Sequence, residues 1–301
     1  MDEQRTLRVA VAGGSGLIGT ALLQALGQAG HEPVQLVRHP AEQPGQRQWE
    51  PGSGWIDGPG LSDVDAVICL SGAGIAGRPW TDRRRELLRS SRIEPVSAVV
   101  AALADAPRCQ TFLCGSAVGY YGTAGDAELT EEHVRGEGFL PDLVEEWEQL
   151  AATAPNGVRV VSLRTGLVLS GSGGLLGSLA PIFRLGAGGR LGSGRQWMPW
   201  ISLADHVRAQ VHLLGSQLSG PVNLSAPTPV TNREFTRTLA AAVHRPAIIP
   251  TPLLPIRVLM GTDFVDELLL ASQRAVPAKL LADDFDFGDT SFAETVRAEV
   301  G

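Results

Sequence analysis

Gly13-Gly14-Ser15-Gly16-Leu17-Ile18-Gly19 satisfies G-x-x-G-x-x-G and, read from Gly14, G-x-G-x-x-G. Small residues at this spacing let a diphosphate reach backbone N–H groups at the positive end of a following helix, so the chemistry on offer is anion binding. Glycines punctuate many turns, and the motif takes its meaning from its setting. Leu7, Val9 and Val11 alternate before it, and Leu17, Ile18, Ala21, Leu22, Ala25 and Leu26 follow at helical spacing up to Gly30. This is strand, tight turn, helix, the context in which Gly13, Gly14, Ser15, Gly16, Leu17, Ile18 and Gly19 would bind a dinucleotide.

The choice of nicotinamide cofactor is written at the end of the second strand, where a carboxylate would receive the adenosine ribose 2′-hydroxyl and repel a 2′-phosphate. This chain has Leu36-Val37-Arg38-His39 there. The planar fork of Arg38 suits a 2′-phosphate, so NADP(H) is expected over NAD(H), with Glu42 close enough in sequence to keep the alternative open. For proton transfer the candidates are Tyr121, in the loop after the strand at 111–114, where a packing role is the competing reading, and Ser116, which reads first as a hydrogen-bond partner of cofactor or substrate and only then as an acid. Arg195, inside a glycine-dense stretch, could bind an anionic substrate group, and Trp197 could stack on a planar or sugar ring. Trp200 reads as core, Asp205 as a helix start, His206 and His212 as packing or surface groups, and Glu131 and Glu132 as a solvated helix start.

The elements that must position these groups alternate. Strands are expected at 7–12, 33–37, 66–70, 111–114, 158–163 and 222–224, and helices at 17–29, 82–104, 141–154, 202–214 and 232–243. Short apolar strands alternating with helices predict an α/β fold, a Rossmann-type doubly wound parallel sheet. Nine glycines between Gly171 and Gly194 predict a loop-rich segment, and Pro246, Pro250, Pro252 and Pro255 mark a junction before a final segment.

Composition narrows the classes. With 301 residues, 44% hydrophobic and 19% charged, the chain can bury a large core. Its 32 acidic against 25 basic residues leave a net charge of −7, which argues against nucleic acid as a partner. Arg83, Arg84, Arg85 and Arg89 read as a solvated helix face. No apolar run approaches the ~18 residues of a membrane helix, and residues 1–5 lack the basic and apolar pattern of a signal segment, so a cytoplasmic protein with no membrane partner is expected. Cys69, Cys109 and Cys114 and the six histidines show no metal-ligand spacing.

Further stretches carry a family resemblance: Asp65-Ala66-Val67-Ile68-Cys69-Leu70-Ser71-Gly72, Ser116-Ala117-Val118-Gly119-Tyr120-Tyr121-Gly122, Leu163-Arg164-Thr165-Gly166-Leu167, Gly192-Ser193-Gly194-Arg195-Gln196 and Pro199-Trp200-Ile201-Ser202-Leu203-Ala204-Asp205. Together with the glycine turn they resemble the extended, sugar-nucleotide-epimerase-like branch of the short-chain dehydrogenases/reductases, and within it an atypical subgroup, the epimerase family proteins with an added C-terminal domain. The resemblance implies an NADP-binding domain over residues 1–245, with parts of 170–245 forming a smaller α/β substrate lobe, and a family-specific domain over 246–301. It implies that Cys69, Leu70 and Ser71 line the adenosine and ribose side, that Arg92 lies near the cofactor and Leu167 near the nicotinamide, and that helices of the sheet domain could form a homodimer. It also implies a Tyr-x-x-x-Lys pair, which this chain lacks: the single lysine is Lys279, with Ala275 four residues before it, and Leu143 and Trp147 take the pair's places. Two readings stay open: an oxidoreductase or epimerase-like enzyme acting on a small sugar-like or anionic molecule, and a non-catalytic NADP(H)-binding redox sensor.

Overall fold

In the computed structural model, residues 6–300 are described. Residues 1–5, on which the expectation about a signal segment rests, lie outside them. The strands are β1 Arg8–Ala12, β2 Glu32–Val37, β3 Gln46–Glu50, β4 Trp55–Ile56, β5 Ala66–Cys69, β6 Thr111–Ala117, β7 Glu128–Leu129, β8 Arg159–Thr165, β9 Leu167–Leu169, β10 Trp197–Met198, β11 Trp200–Ser202, β12 Gly220–Leu224, β13 Val230–Thr231 and β14 Arg274–Ala275. The helices are α1 Leu17–Gln28, α2 Asp82–Leu103, α3 Phe139–Ala151, α4 Gly174–Arg184, α5 Leu203–Gly215, α6 Asn232–Ala242, α7 Leu253–Met260, α8 Ala278–Ala282 and α9 Phe292–Val300.

Eight strands form one sheet in the order β12-β8-β6-β5-β1-β2-β3-β4, parallel except for the antiparallel pairing of β4 with β3. Strand β1 shows why helices must cover both faces, since Val9, Ala10, Val11 and Ala12 are all fully buried. Val9 and Val11 pack with Leu22 and Leu26 of α1, while Ala10 and Ala12 join the cluster of Val96 and Val99 from α2. The chain leaves β1 toward β2 on one side and later returns through β5 on the other. Between these two strands lies the crevice at the carboxyl edge where open α/β sheets hold ligands.

A second apolar cluster, built around Leu176, Phe183, Trp200, Phe235 and Phe292, forms the smaller lobe from α4, α6, α9 and the short strands near them. The glycine-dense segment departs from the loop expected there: Leu176, Ala180 and Phe183 recur at helical spacing and anchor α4 in this cluster. Strand β3 is a further departure, a polar-looking run in which Arg47 and Trp49 are buried. The final segment threads through the whole molecule. Val265 packs beside α3, Ala275 pairs with β7, Leu280 joins the main core and Val296 the second lobe. Among the described residues, no helix is long and apolar enough to cross a membrane.

Candidate functional site

The glycine turn does what its spacing suggests. Gly13 has a φ of +82°, and a Cβ there would lie 2.8 Å from the Leu70 carbonyl carbon, so the turn presses directly on the end of β5. At Gly19 a Cβ would come within 2.2 Å of the Gly13 oxygen, which lets α1 start tight against the turn. Helix α1 begins at Gly16 with no side-chain cap and no acid in its first turn. Its leading amides are therefore free to meet an anion.

Beside this turn opens a cavity of about 830 Å³. Among the residues expected to bind a dinucleotide, Gly13, Ser15, Gly16, Arg38, Leu70 and Ser71 line it. Gly14 and Gly19 shape the turn from behind. Leu17 lies against Gly173 and Gly174 of the second lobe, and Ile18 packs on the main core. Cys69 is fully buried, and its burial pushes the thiol up to about 11 against a weaker pull from Ser71. Leu167 stands on β9, paired with β11. Arg92 packs against Gly72 and lies 5.4 Å over the Trp147 ring. Its donors reach only the carbonyls of Leu88 and Ala73, and burial, then the charge of Arg84, lowers it to about 10.

The groups expected to carry chemistry form a network at the end of β6 and β8. Ser116 donates to Glu148 Oε1 at 2.6 Å, and Arg164 grips the same carboxylate through Nε at 2.8 Å and a terminal nitrogen at 2.7 Å. Burial alone would lower Arg164, but the hydrogen bond and charge of Glu148 outweigh it and hold the guanidinium protonated. Tyr121 is 2% exposed; its hydroxyl donates to Asn223 Oδ1 at 2.8 Å and accepts from Arg164 at 3.1 Å. Burial raises this phenol, with Arg164 and Asn223 pulling part of the way back. Of the two roles the sequence left for Tyr121, the structure provides the packing one: it is buried with Val118, Leu129 and Ala275, and Asn223 and Arg164 both meet its hydroxyl.

Other expectations are corrected more sharply. Glu131 is buried, not solvated, because the amides of Asn223 and Lys279 both donate to Oε1. Arg85 and Arg89 are tied across the surface to Asp263 and Glu146 instead of facing solvent freely. The Trp197 ring carries the Arg274 guanidinium at 4.9 Å and its Nε1 donates to Asp126 at 2.9 Å, so its polar edge is engaged within the protein and an arginine lies over the ring. Arg195 is exposed and does not line the cavity. Trp200 is fully buried, as core; Asp205 accepts from the amides of Gly288 and Asp289, pinning the final segment.

Residues 9–224 match the model of the NAD dependent epimerase/dehydratase family. The chain belongs to that family. Residues 251–299 match a second model, a domain of unknown function, DUF1731. Epimerase family protein Mb2239 of Mycobacterium bovis is 46% identical over 292 residues, covering 96% of each chain. The crystal structure of human epimerase family protein SDR39U1 with NADPH superposes with a TM-score of 0.90 at 32% identity, covering 98% of this chain and 99% of that one. A Thermus thermophilus UDP-glucose 4-epimerase in complex with NAD shares the fold at 20% identity, with a TM-score of 0.75 over 98% of each chain.

Within this epimerase-family protein, an NAD(P)-binding fold of short-chain dehydrogenase/reductase type, the cleft has walls that sequence reading missed. Gln35, His39, Trp49, Pro51, Gly52, Glu94 and Pro95 all line the cavity. Trp49 belongs to the unrecognised β3, whose Gln46-Arg47-Gln48-Trp49-Glu50 run holds one apolar residue and so offers no apolar alternation to read. Pro95 lies inside α2, where it removes one helical hydrogen bond and frees the Ser91 carbonyl on the cavity wall. Leu143 and Trp147 on α3 are both buried, so the places of the missing pair are filled by packing.

Proposed function

We propose that this protein binds NADP(H) in the cleft beside residues 13–19 and acts as an oxidoreductase or epimerase-like enzyme on a small sugar-like or anionic molecule. One observation carries the cofactor reading: an uncapped helix start and two groups able to bear positive charge, Arg38 and His39, share one cavity. Arg38 makes no ion pair among the described residues, and Glu42, the competing acid, is not among the cavity's lining residues. The human relative bound to NADPH supports the same reading. Glu94 is the acidic residue among those lining the cavity.

When bound, the nicotinamide supplies or accepts a hydride. The chain's own contribution is to hold a proton where that exchange needs one. Of the two hydroxyls expected to do so, Ser116 has a carboxylate at 2.6 Å behind it, whereas Tyr121 already has both its donor and an acceptor site occupied. Ser116 is the proton relay in this reading, and Tyr121 a positioning residue for Arg164.

A non-catalytic redox sensor is the second reading, and the buried Leu143 and Trp147 favour it. The two separate when a library of sugar nucleotides and small carboxylates is added to the NADPH complex. Net reduction of a substrate consumes the reduced-nicotinamide absorbance, epimerisation is read from the product by chromatography since it regenerates the cofactor, and Ser116→Ala then slows either about 100-fold, the low end of what a positioned proton-transfer group contributes, with NADPH affinity unchanged. Tight binding with no turnover across the library leaves the sensor.

A further inference from the structure

A second hollow, of about 390 Å³, lies on the smaller lobe and shares no lining residue with the nucleotide cleft. Four arginines border it: Arg190, Arg233, Arg237 and Arg245. Helix α6 places Arg233 and Arg237 one turn apart on the same face. His244, in the left-handed conformation with a φ of 55°, then turns the chain so that Arg245 follows at the rim. Arg190 comes from the loop after α4, fixed there because its carbonyl accepts from the Thr251 amide at 2.9 Å.

None of the four forms an ion pair among the described residues. Arg190 donates to the Gly192 carbonyl, Arg233 to Ser193 O at 3.4 Å and Arg245 to Arg184 O at 3.0 Å; Arg237 has no partner among the described residues. Elsewhere the protein does otherwise: Arg85, Arg89, Arg135, Arg208 and Arg257 each meet a carboxylate. Four like charges around one hollow repel each other, and the one acid on α6, Glu234, can offset only part of this, three residues from Arg237 and in no ion pair among the described residues. In a chain of net charge −7 such a gathering is not a consequence of overall basicity. Between them Ala240, Ala241 and Ile248 supply an apolar floor, and the hollow is the size of a small-ligand site.

We propose that this hollow is a second ligand site, taking a phosphoryl anion in the guanidinium forks with an apolar or planar body on the alanine floor. The phosphoryl group could come from a soluble phosphate ester or from a phosphoinositide headgroup, since Ile248 and Ile249 beside it are 83% and 78% exposed.

Calorimetric titration of inorganic pyrophosphate into the full-length protein at low salt tests it, with NADPH titrated in parallel as a check on the nucleotide cleft. Wild type is expected to bind pyrophosphate at the hollow, beside any held at the glycine turn and displaced by NADPH; Arg237→Gln weakens the NADPH-insensitive binding at least 10-fold and Arg233→Gln/Arg237→Gln abolishes it, both leaving the NADPH result as in wild type. Flotation with phosphatidylcholine vesicles containing phosphatidylinositol 4-phosphate identifies the source: arginine-dependent flotation assigns a headgroup, and pyrophosphate binding without flotation assigns a soluble ester. No association with either probe overturns the site. So does NADPH-insensitive pyrophosphate binding that survives the double variant, and so does binding that NADPH displaces entirely, because the anion is then occupying the nucleotide cleft. The readout is the loss of pyrophosphate binding on arginine substitution, so failure of the cofactor reading leaves it intact.

Discussion

The glycine turn, which lines the cavity, and the network at the end of β6 and β8, none of whose members lines it, are built on opposite principles. At the glycine turn, hydrogen-bonding capacity is left over: α1 starts without a cap, and Arg38 makes no ion pair among the described residues. At the end of β6 and β8 it is consumed internally, with Ser116, Glu148, Arg164, Tyr121 and Asn223 joined donor to acceptor. A region with unsatisfied donors is prepared for a ligand, whereas a saturated, buried network holds itself rigid. The first should change binding when mutated; the second should change stability, and at Ser116, in the proposed reading, turnover as well.

The sharpest break of this contrast is Arg164→Met. It leaves Glu148 and the Tyr121 hydroxyl without their cationic partner in a buried setting, and a loss of about 3 kcal/mol in unfolding free energy is expected. Chemical denaturation measures it, and NADPH affinity of the folded fraction should hold. An unchanged denaturation midpoint would mean the network is not a structural unit. Tyr121→Phe is the gentler version. It removes one buried hydroxyl and leaves Asn223 Oδ1 without its donor, for about 1 kcal/mol of destabilisation. Any turnover should survive; its abolition would move the proton relay from Ser116 to the phenol.

The same contrast explains what could be read in advance. Strand, turn and α1 were legible because β1 is apolar on both faces and the glycines stand at fixed offsets, so local pattern and tertiary role agree. Arg38, Leu70 and Ser71 could be placed for the same reason: each follows a strand end. Trp49 could not, because β3 is an edge-side strand whose polar residues carry no apolar alternation. The fates of Tyr121 and Glu131 were also hidden. Their partners, Asn223 and the Lys279 amide, lie 102 and 148 residues away, and nothing local in the sequence announces such convergence. Helix α4 shows the reverse failure, since glycine density spoke for loop while Leu176, Ala180 and Phe183 supplied an apolar face that the second lobe could bury.

The central claim is that the uncapped start of α1 and the Arg38 guanidinium together hold a phosphorylated dinucleotide. Isothermal titration of NADPH and NADH into ligand-free protein, repeated with Arg38→Ala, tests it directly. The expected result is one NADPH per chain, bound more tightly than NADH, with Arg38→Ala costing NADPH at least 10-fold and NADH little. No association with either dinucleotide, or equal losses for both in the variant, would contradict it.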